Sequence, residues 1–209
     1  MSYPPAAGLE TWSKMIQGQG SLMALFKVRG MQRQTWAERY ASQSCVGGLE
    51  PCAFLVEHLN WLARGRALDI AMGEGRNAAY LVENGFSVLG VEREPLAIER
   101  ARLRSPNLKT LQVDLEKGWR PPSEAFVLVL VVNYLQRDLF PTLQAALKPG
   151  GALLYETSSS PQMRAEFRLQ PNELLRAFGG LHCLAYREWG GRASLLAVRP
   201  PASVGDAVL

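Results

Sequence analysis

Residues 126–132 read Phe-Val-Leu-Val-Leu-Val-Val, an unbroken apolar run with Pro121-Pro122 before it and Asn133 after it. A strand-length run without polar alternation suits a central strand covered on both faces, and a sheet with helices on both sides supplies that cover. The rest of the chain from Arg66 fits this arrangement. Residues 66–71 predict a first strand, 75–85 a helix ended by Asn84-Gly85, and 86–92 a second strand. A helix over 95–104 carries Pro95 in its first turn, and a third strand over 108–114 follows the turn at Ser105-Pro106-Asn107. After the apolar run come a helix over 138–151 closed by Pro149-Gly150-Gly151, a strand over 152–157 and a short helix over 172–178. Residues 181–189 and 192–198, joined by Gly190-Gly191, predict an antiparallel hairpin. Alternating strands and helices give an α/β fold: a doubly wound, mostly parallel sheet with right-handed crossovers and a ligand at the carboxyl ends of the strands.

Upstream, Thr35 is a capping residue for a helix over 35–41. Pro51 stands at the first helical position of a segment running to Ala63, whose Phe54, Leu55, His58, Leu59 and Leu62 share one face. The division expected is an N-terminal extension over 1–35, a domain over 36–199 and a tail over 200–209. In the extension, an apolar helical pattern at Leu22, Leu25, Phe26 and Val28 is interrupted by Gly18, Gly20 and Gly30. Its Lys14, Lys27, Arg29 and Arg33 face a single acid, Glu10.

With 209 residues, 47% hydrophobic and 20% charged, the chain builds a core without a metal or disulfide staple. Cys45, Cys52 and Cys183 form no CxxC pair, and His58 and His182 are the two histidines, which argues against a zinc site. No apolar run reaches the ~20 residues of a membrane span, and the first residues lack a secretory pattern. The net charge of +4 is scattered rather than striped, so nucleic acid is not the expected partner. A soluble cytoplasmic enzyme with reduced thiols is the expectation.

The chemistry is concentrated after the first strand, in Asp69-Ile-Ala-Met-Gly-Glu-Gly-Arg-Asn77. Gly73 and Gly75 let the backbone approach a ligand closely. Alone, Gly73-x-Gly75-x-x-Ala78 also fits a dinucleotide fingerprint. Glu92 then closes the second strand, where a carboxylate can accept from ribose hydroxyls, and Asp114 closes the third, where an adenine edge can meet it. Asn133-Tyr134 follow the fourth strand directly. The four positions fall on one edge of one sheet.

In WAERY (36–40), RALDIAMGEGRNAAYL (66–81), GFSVLGVE (85–92), QVDLE (112–116), VVNYLQRDLFP (131–141), LKPGGALLYET (147–157) and LQPNELL (169–175), the sequence resembles the class I S-adenosylmethionine-dependent methyltransferases. Within them it is similar to the bacterial tellurite-resistance type. The resemblance implies seven strands in the order 3-2-1-4-5-7-6, strand seven antiparallel, and S-adenosylmethionine as cofactor. It implies that Asp69 reaches the methionine amino group, that Gly73 and Gly75, with Asn77 beside them, pass beneath the cofactor, and that Glu92 holds the ribose. Asp114 and Leu115 meet the adenine, the Asn133 backbone faces the sulfonium, and Arg39 and Tyr40 resemble lid residues over the methionine carboxylate.

The sequence departs from that pattern in places. Ala71 stands for a common Gly and Met72 for a common Cys, both tolerable if their side chains face the core. Glu92 replaces the commoner Asp, and the loop over 158–168 is short. Tyr134, Arg137, Tyr155 and Glu156 lie where an acceptor would dock. Of these, Tyr134, Arg137 and Glu156 are the catalytic candidates, and Tyr155 alternates inside an apolar strand as a core residue would. Arg76 and Arg137 suit an anionic acceptor and equally suit a solvated surface. A small-molecule acceptor is expected; the rival readings are a non-catalytic binding protein on the same fold and an RNA methyltransferase. A dehydrogenase is disfavoured because no Tyr-x-x-x-Lys pair is present.

Overall fold

The computed structural model describes residues 35–43 and 45–201. The apolar pattern and the basic residues noted before Thr35 lie outside the described residues. Seven strands form one sheet: β1 Arg66–Ile70, β2 Ser87–Glu92, β3 Lys109–Gln112, β4 Phe126–Val132, β5 Leu147–Ser158, β6 His182–Trp189 and β7 Arg192–Val198. Their order is β3-β2-β1-β4-β5-β7-β6, with β7 antiparallel to both neighbours. The helices are α1 Trp36–Ser42, α2 Ala53–His58, α3 Arg76–Glu83, α4 Pro95–Arg104, α5 Phe140–Ala146 and α6 Glu173–Ala177.

The apolar run at 126–132 divides its side chains between two cores. Leu128, Leu130 and Val132 join Leu55, Leu81 and Ile98 on one face; Val129 and Val131 join Phe140, Leu143 and Phe178 on the other. Burial on both sides is the cover that such a run requires. Neighbouring strands diverge at β1, which pairs with β2 on one side and with β4 on the other, so the switch point lies at the carboxyl end of β1.

Three boundaries differ from the sequence expectation. The helix expected over 138–151 ends at Ala146, and Leu147-Lys148-Pro149-Gly150-Gly151 opens β5 instead. Proline disfavours helical backbone at the residue before it, so Lys148 leaves the helix. Pro51 precedes the cap rather than opening α2, because Cys52 is the N-cap and its N–H is taken by Asn77 Oδ1 at 2.7 Å. The segment then tightens after His58 into a 3-10 turn at Leu59–Trp61. Its apolar face is buried as expected, and His58 Nδ1 is satisfied by the Phe54 carbonyl at 2.9 Å.

Candidate functional site

The turn from β1 to α3 places three left-handed residues within five positions: Ala71 at φ +52°, Gly73 at +58° and Gly75 at +72°. The Met72 N–H donates to the Val91 carbonyl at 3.0 Å and the Gly75 N–H to the Met72 carbonyl at 3.1 Å, closing the turn against β2. The Met72 side chain is buried across Gly90, where any Cβ would overlap its thioether. Gly75 is required by packing, since a Cβ there would stand 2.8 Å from Ala101 Cβ on α4. Ala71 packs partly buried against the core, the condition for its tolerance, and carries in addition a left-handed backbone in which an L-residue is strained.

Asp69 lies fully inside, one residue before the end of β1, and its Oδ2 has no hydrogen-bond partner among the described residues. Burial pushes its carboxyl up to about 8; Glu92 adds to this, while Arg76 and the Ala78 N–H oppose it. A buried, unpartnered acceptor beside a glycine turn calls for a donor that the described residues do not provide.

Glu92 is buried at the end of β2 and already holds the loop. Its Oε2 accepts from the Gly73 N–H at 3.0 Å, and its Oε1 accepts from Arg93 N–H at 2.8 Å and Glu94 N–H at 3.1 Å. The methylene by which it exceeds Asp lets it reach back to Gly73. Asp114 caps the 3-10 turn at Leu115–Lys117 by accepting from the Glu116 N–H at 3.1 Å, with Leu115 buried behind it. Asn77 spends its amide oxygen on the Cys52 backbone. Tyr40 is buried with its hydroxyl above Gly73, 3.1 Å from where a Cβ would stand, and burial followed by the nearby Glu92 pushes its phenol up. Arg39 turns away and stacks on the exposed Trp36 ring, 4.7 Å from its centroid.

The carboxyl ends of β4 and β5 form a second group. Asn133 has φ +61°; its N–H donates to the Glu156 carbonyl at 2.9 Å, and its Oδ1 accepts from Arg192 Nη2 at 2.7 Å. The buried Glu156 carboxylate accepts from Arg192 Nε at 3.0 Å and from Ser194 Oγ at 2.7 Å. Burial, followed by Glu156, pushes the Cys52 thiol up. Tyr134 donates to Gln136 Oε1 at 2.5 Å. Tyr155 is core, donating to the Tyr134 carbonyl at 2.9 Å, and burial pushes both phenols up. Arg137 makes a bidentate pair with Glu173 at 2.6 and 3.0 Å and bonds the Glu166 and Arg168 carbonyls, so it staples the loop after β5 to α6. Arg76 donates to the Glu50 carbonyl at 2.9 Å.

The structure therefore gathers Tyr40, Asp69, Gly73 and Glu92 around one turn. Asn133 and Glu156 share a second network, while Arg39 and Arg137 point elsewhere. Sequence reasoning missed Arg192 and Ser194. Glu156 inside an apolar strand called for a partner, and the antiparallel register of β5 with β7 sets it opposite Ser194. It also missed Glu74 and Arg100, whose pairing across 26 positions leaves no local signal.

Residues 67–151 match the family described as a methyltransferase domain. YqeM of Bacillus subtilis (strain 168), provisionally named a methyltransferase, is 32% identical over 108 residues, which is 46% of this chain. The chain spans 44% of that relative's length. An S-adenosylmethionine-dependent methyltransferase from Mesorhizobium loti superposes with a TM-score of 0.60 at 20% identity, covering 73% of this chain and all of the other. TehB from Haemophilus influenzae superposes with a TM-score of 0.62 at 17% identity, covering 76% of this chain and 64% of the other. At these identities the two structures establish the shared fold.

Proposed function

We propose that the protein transfers a methyl group from S-adenosylmethionine to a small acceptor in the cytoplasm, a reading supported by the match of residues 67–151 to a methyltransferase domain and by the shared fold. The observation that carries this reading is the buried, unpartnered Oδ2 of Asp69 beside the Gly73–Gly75 turn. It matches an amino group brought by the ligand. Asp69 accepts from that amine, Gly73 offers a face without a Cβ, and Glu92 keeps one lone pair, on Oε2, free for a ribose hydroxyl after its three backbone bonds. Asp114 and Leu115 flank the base. Tyr40 closes the turn from above and excludes water.

S-Adenosylmethionine, when bound, supplies an activated methyl on sulfur. The chain's task is then to hold the acceptor in line, about 3–3.5 Å from the methyl carbon, away from water. Tyr134 and Tyr155 keep their protons near neutral pH, and the Glu156 carboxylate is held by Arg192 and Ser194. In this reading none of the three serves as a general base, and the acceptor arrives with its attacking lone pair already free. Arg137, Arg192, Arg76 and Arg100 are committed to protein carboxylates and carbonyls, which supports a small acceptor over a phosphate backbone.

Incubation with methyl-labelled S-adenosylmethionine and a panel of small nucleophiles tests the proposal. Label transfer to a thiol, a soft anion or an amine is expected, with mild salt dependence. Labelling of RNA alone, falling steeply with salt, would overturn the choice of acceptor.

A further inference from the structure

Helix α1 is a weak element by its own means. It has seven residues, a capping box between Thr35 and Glu38, and a single buried side chain, Tyr40. A helix this short is not stable through its backbone alone and must be held by what it packs against. The holding is done by charged groups. Arg100, projecting from α4, donates through Nη2 to the Tyr40 carbonyl at 2.9 Å and through Nη1 to the Gln43 carbonyl at 2.9 Å. The same Nη1 meets Glu74 Oε1 at 2.5 Å, in the middle of the glycine turn. The other oxygen of Glu74 accepts from the Val46 N–H at 3.2 Å. Arg104, one turn further along α4, bonds the Glu74 carbonyl at 3.2 Å and the Leu49 carbonyl at 3.4 Å.

These bonds tie three pieces together: the residues at 40–43 and 45–49, the turn at 73–75 and the face of α4. Glu74 is buried, so its charge is not idle on the surface. Burial pushes its carboxyl up, but the bonds from Arg100, Val46 and Cys45 outweigh that and leave it below the ordinary value. Arg100 bonds Glu74 together with two carbonyls at the end of α1, those of Tyr40 and Gln43. Its guanidinium fork fits three acceptors at once, which a lysine ammonium cannot match in geometry.

We propose that the Glu74–Arg100 pair is a positioning device that fixes Tyr40 over Gly73, so that ligand retention is set by two residues that need not touch the ligand. The proposal rests on the methyltransferase reading of the Asp69–Gly75 turn. Without the pair, α1 keeps its capping box but loses its anchor, and the roof over Gly73 opens.

A double-mutant cycle in the full-length chain, read by titration calorimetry with S-adenosylhomocysteine, tests it. Arg100→Ala and Tyr40→Ala are each expected to weaken binding tenfold or more. The double variant should bind no more than about threefold worse than either single variant, because Arg100 acts through Tyr40. Arg100→Lys should recover only part of the loss. Glu74→Gln, which keeps an acceptor for Val46 but removes the charge, serves in place of Arg100→Ala if that variant does not fold, with the same expectation. Wild-type affinity in Arg100→Ala, or losses that multiply in the double variant, would overturn the proposal while leaving the methyltransferase reading intact. Wild-type protein that fails to bind S-adenosylhomocysteine would overturn both.

Discussion

The Glu92 carboxylate at the end of β2 accepts from the Gly73 N–H at 3.0 Å, tying the second strand to the turn that leaves the first. From sequence, Glu92 stands as a ribose ligand. The structure gives it a second task. Glu92→Ala leaves the N–H groups of Gly73, Arg93 and Glu94 without their acceptor. It is expected to destabilise the ligand-free protein by about 2–3 kcal/mol as well as weaken S-adenosylhomocysteine binding. Urea denaturation without ligand checks this: an unchanged midpoint would show that the three bonds contribute nothing.

Asp69 makes stability depend on pH. Its carboxyl titrates at about 8 in the folded protein, whereas in the unfolded chain it titrates in the ordinary carboxylate range. Between about pH 4 and pH 8 the folded state therefore holds a proton that the unfolded state has released. Ligand-free stability falls with rising pH across that window, by at most about 1.4 kcal/mol per unit from this group. Asp69→Asn should flatten this part of the profile. Ligand affinity should rise with pH up to about 8, since an amine donor favours the carboxylate. Denaturation curves at stepwise pH decide the matter, and an identical slope in both proteins would refute the assignment.

Ala71 sits at φ +52° in the same turn. Left-handed backbone costs an L-residue about 1–2 kcal/mol, while glycine loses about 0.5–1 kcal/mol through its freer unfolded chain. Ala71→Gly should therefore gain about 0.5–1 kcal/mol, and Ala71→Val should lose more than that. Thermal melting of the two variants measures it. A destabilised glycine variant would show that the methyl group packs usefully.

Arg192 braces two residues at once: the carboxylate of Glu156 and the side-chain oxygen of Asn133, itself left-handed at φ +61°. Arg192→Ala leaves a buried carboxylate with Ser194 as its remaining short contact. It should cost about 1–3 kcal/mol, below the figure for a fully buried pair because the arginine is partly exposed. Arg192→Lys should recover part of the loss in a chemical denaturation series, and no loss in either variant would remove Arg192 from the framework.

The fold was legible where local chemistry decides it. Pro95 marks the first turn of α4, which runs to Arg104 as expected, and Thr35 caps α1. The apolar run at 126–132 states its own burial, and the Asp69–Gly75 turn and the acid at Glu92 follow from residue type and place. What could not be read is partnership over distance. Arg100 reaches Gln43 across 57 positions, and nothing in the neighbourhood of either residue announces it. Asn77 reads as part of a ligand turn, and nothing near it announces that its amide oxygen holds the Cys52 N–H, 25 positions away. Arg137 looks like a free cation near an acceptor until α6 brings Glu173 to it. Backbone dihedrals are equally silent in sequence, so the left-handed turn at Ala71 emerges only from the structure.

Titration calorimetry of the full-length protein with S-adenosylhomocysteine bears most directly on whether Asp69 and its turn form a cofactor site. A single-site isotherm is expected for the wild type, with Asp69→Asn at least tenfold weaker, since a carboxylate that pairs with an amine is worth about 1.5–3 kcal/mol. At ~100 times the dissociation constant the ligand should add about 2.7 kcal/mol to stability. A wild-type titration without heat, together with a melting curve unmoved at millimolar ligand, would contradict the assignment of the site.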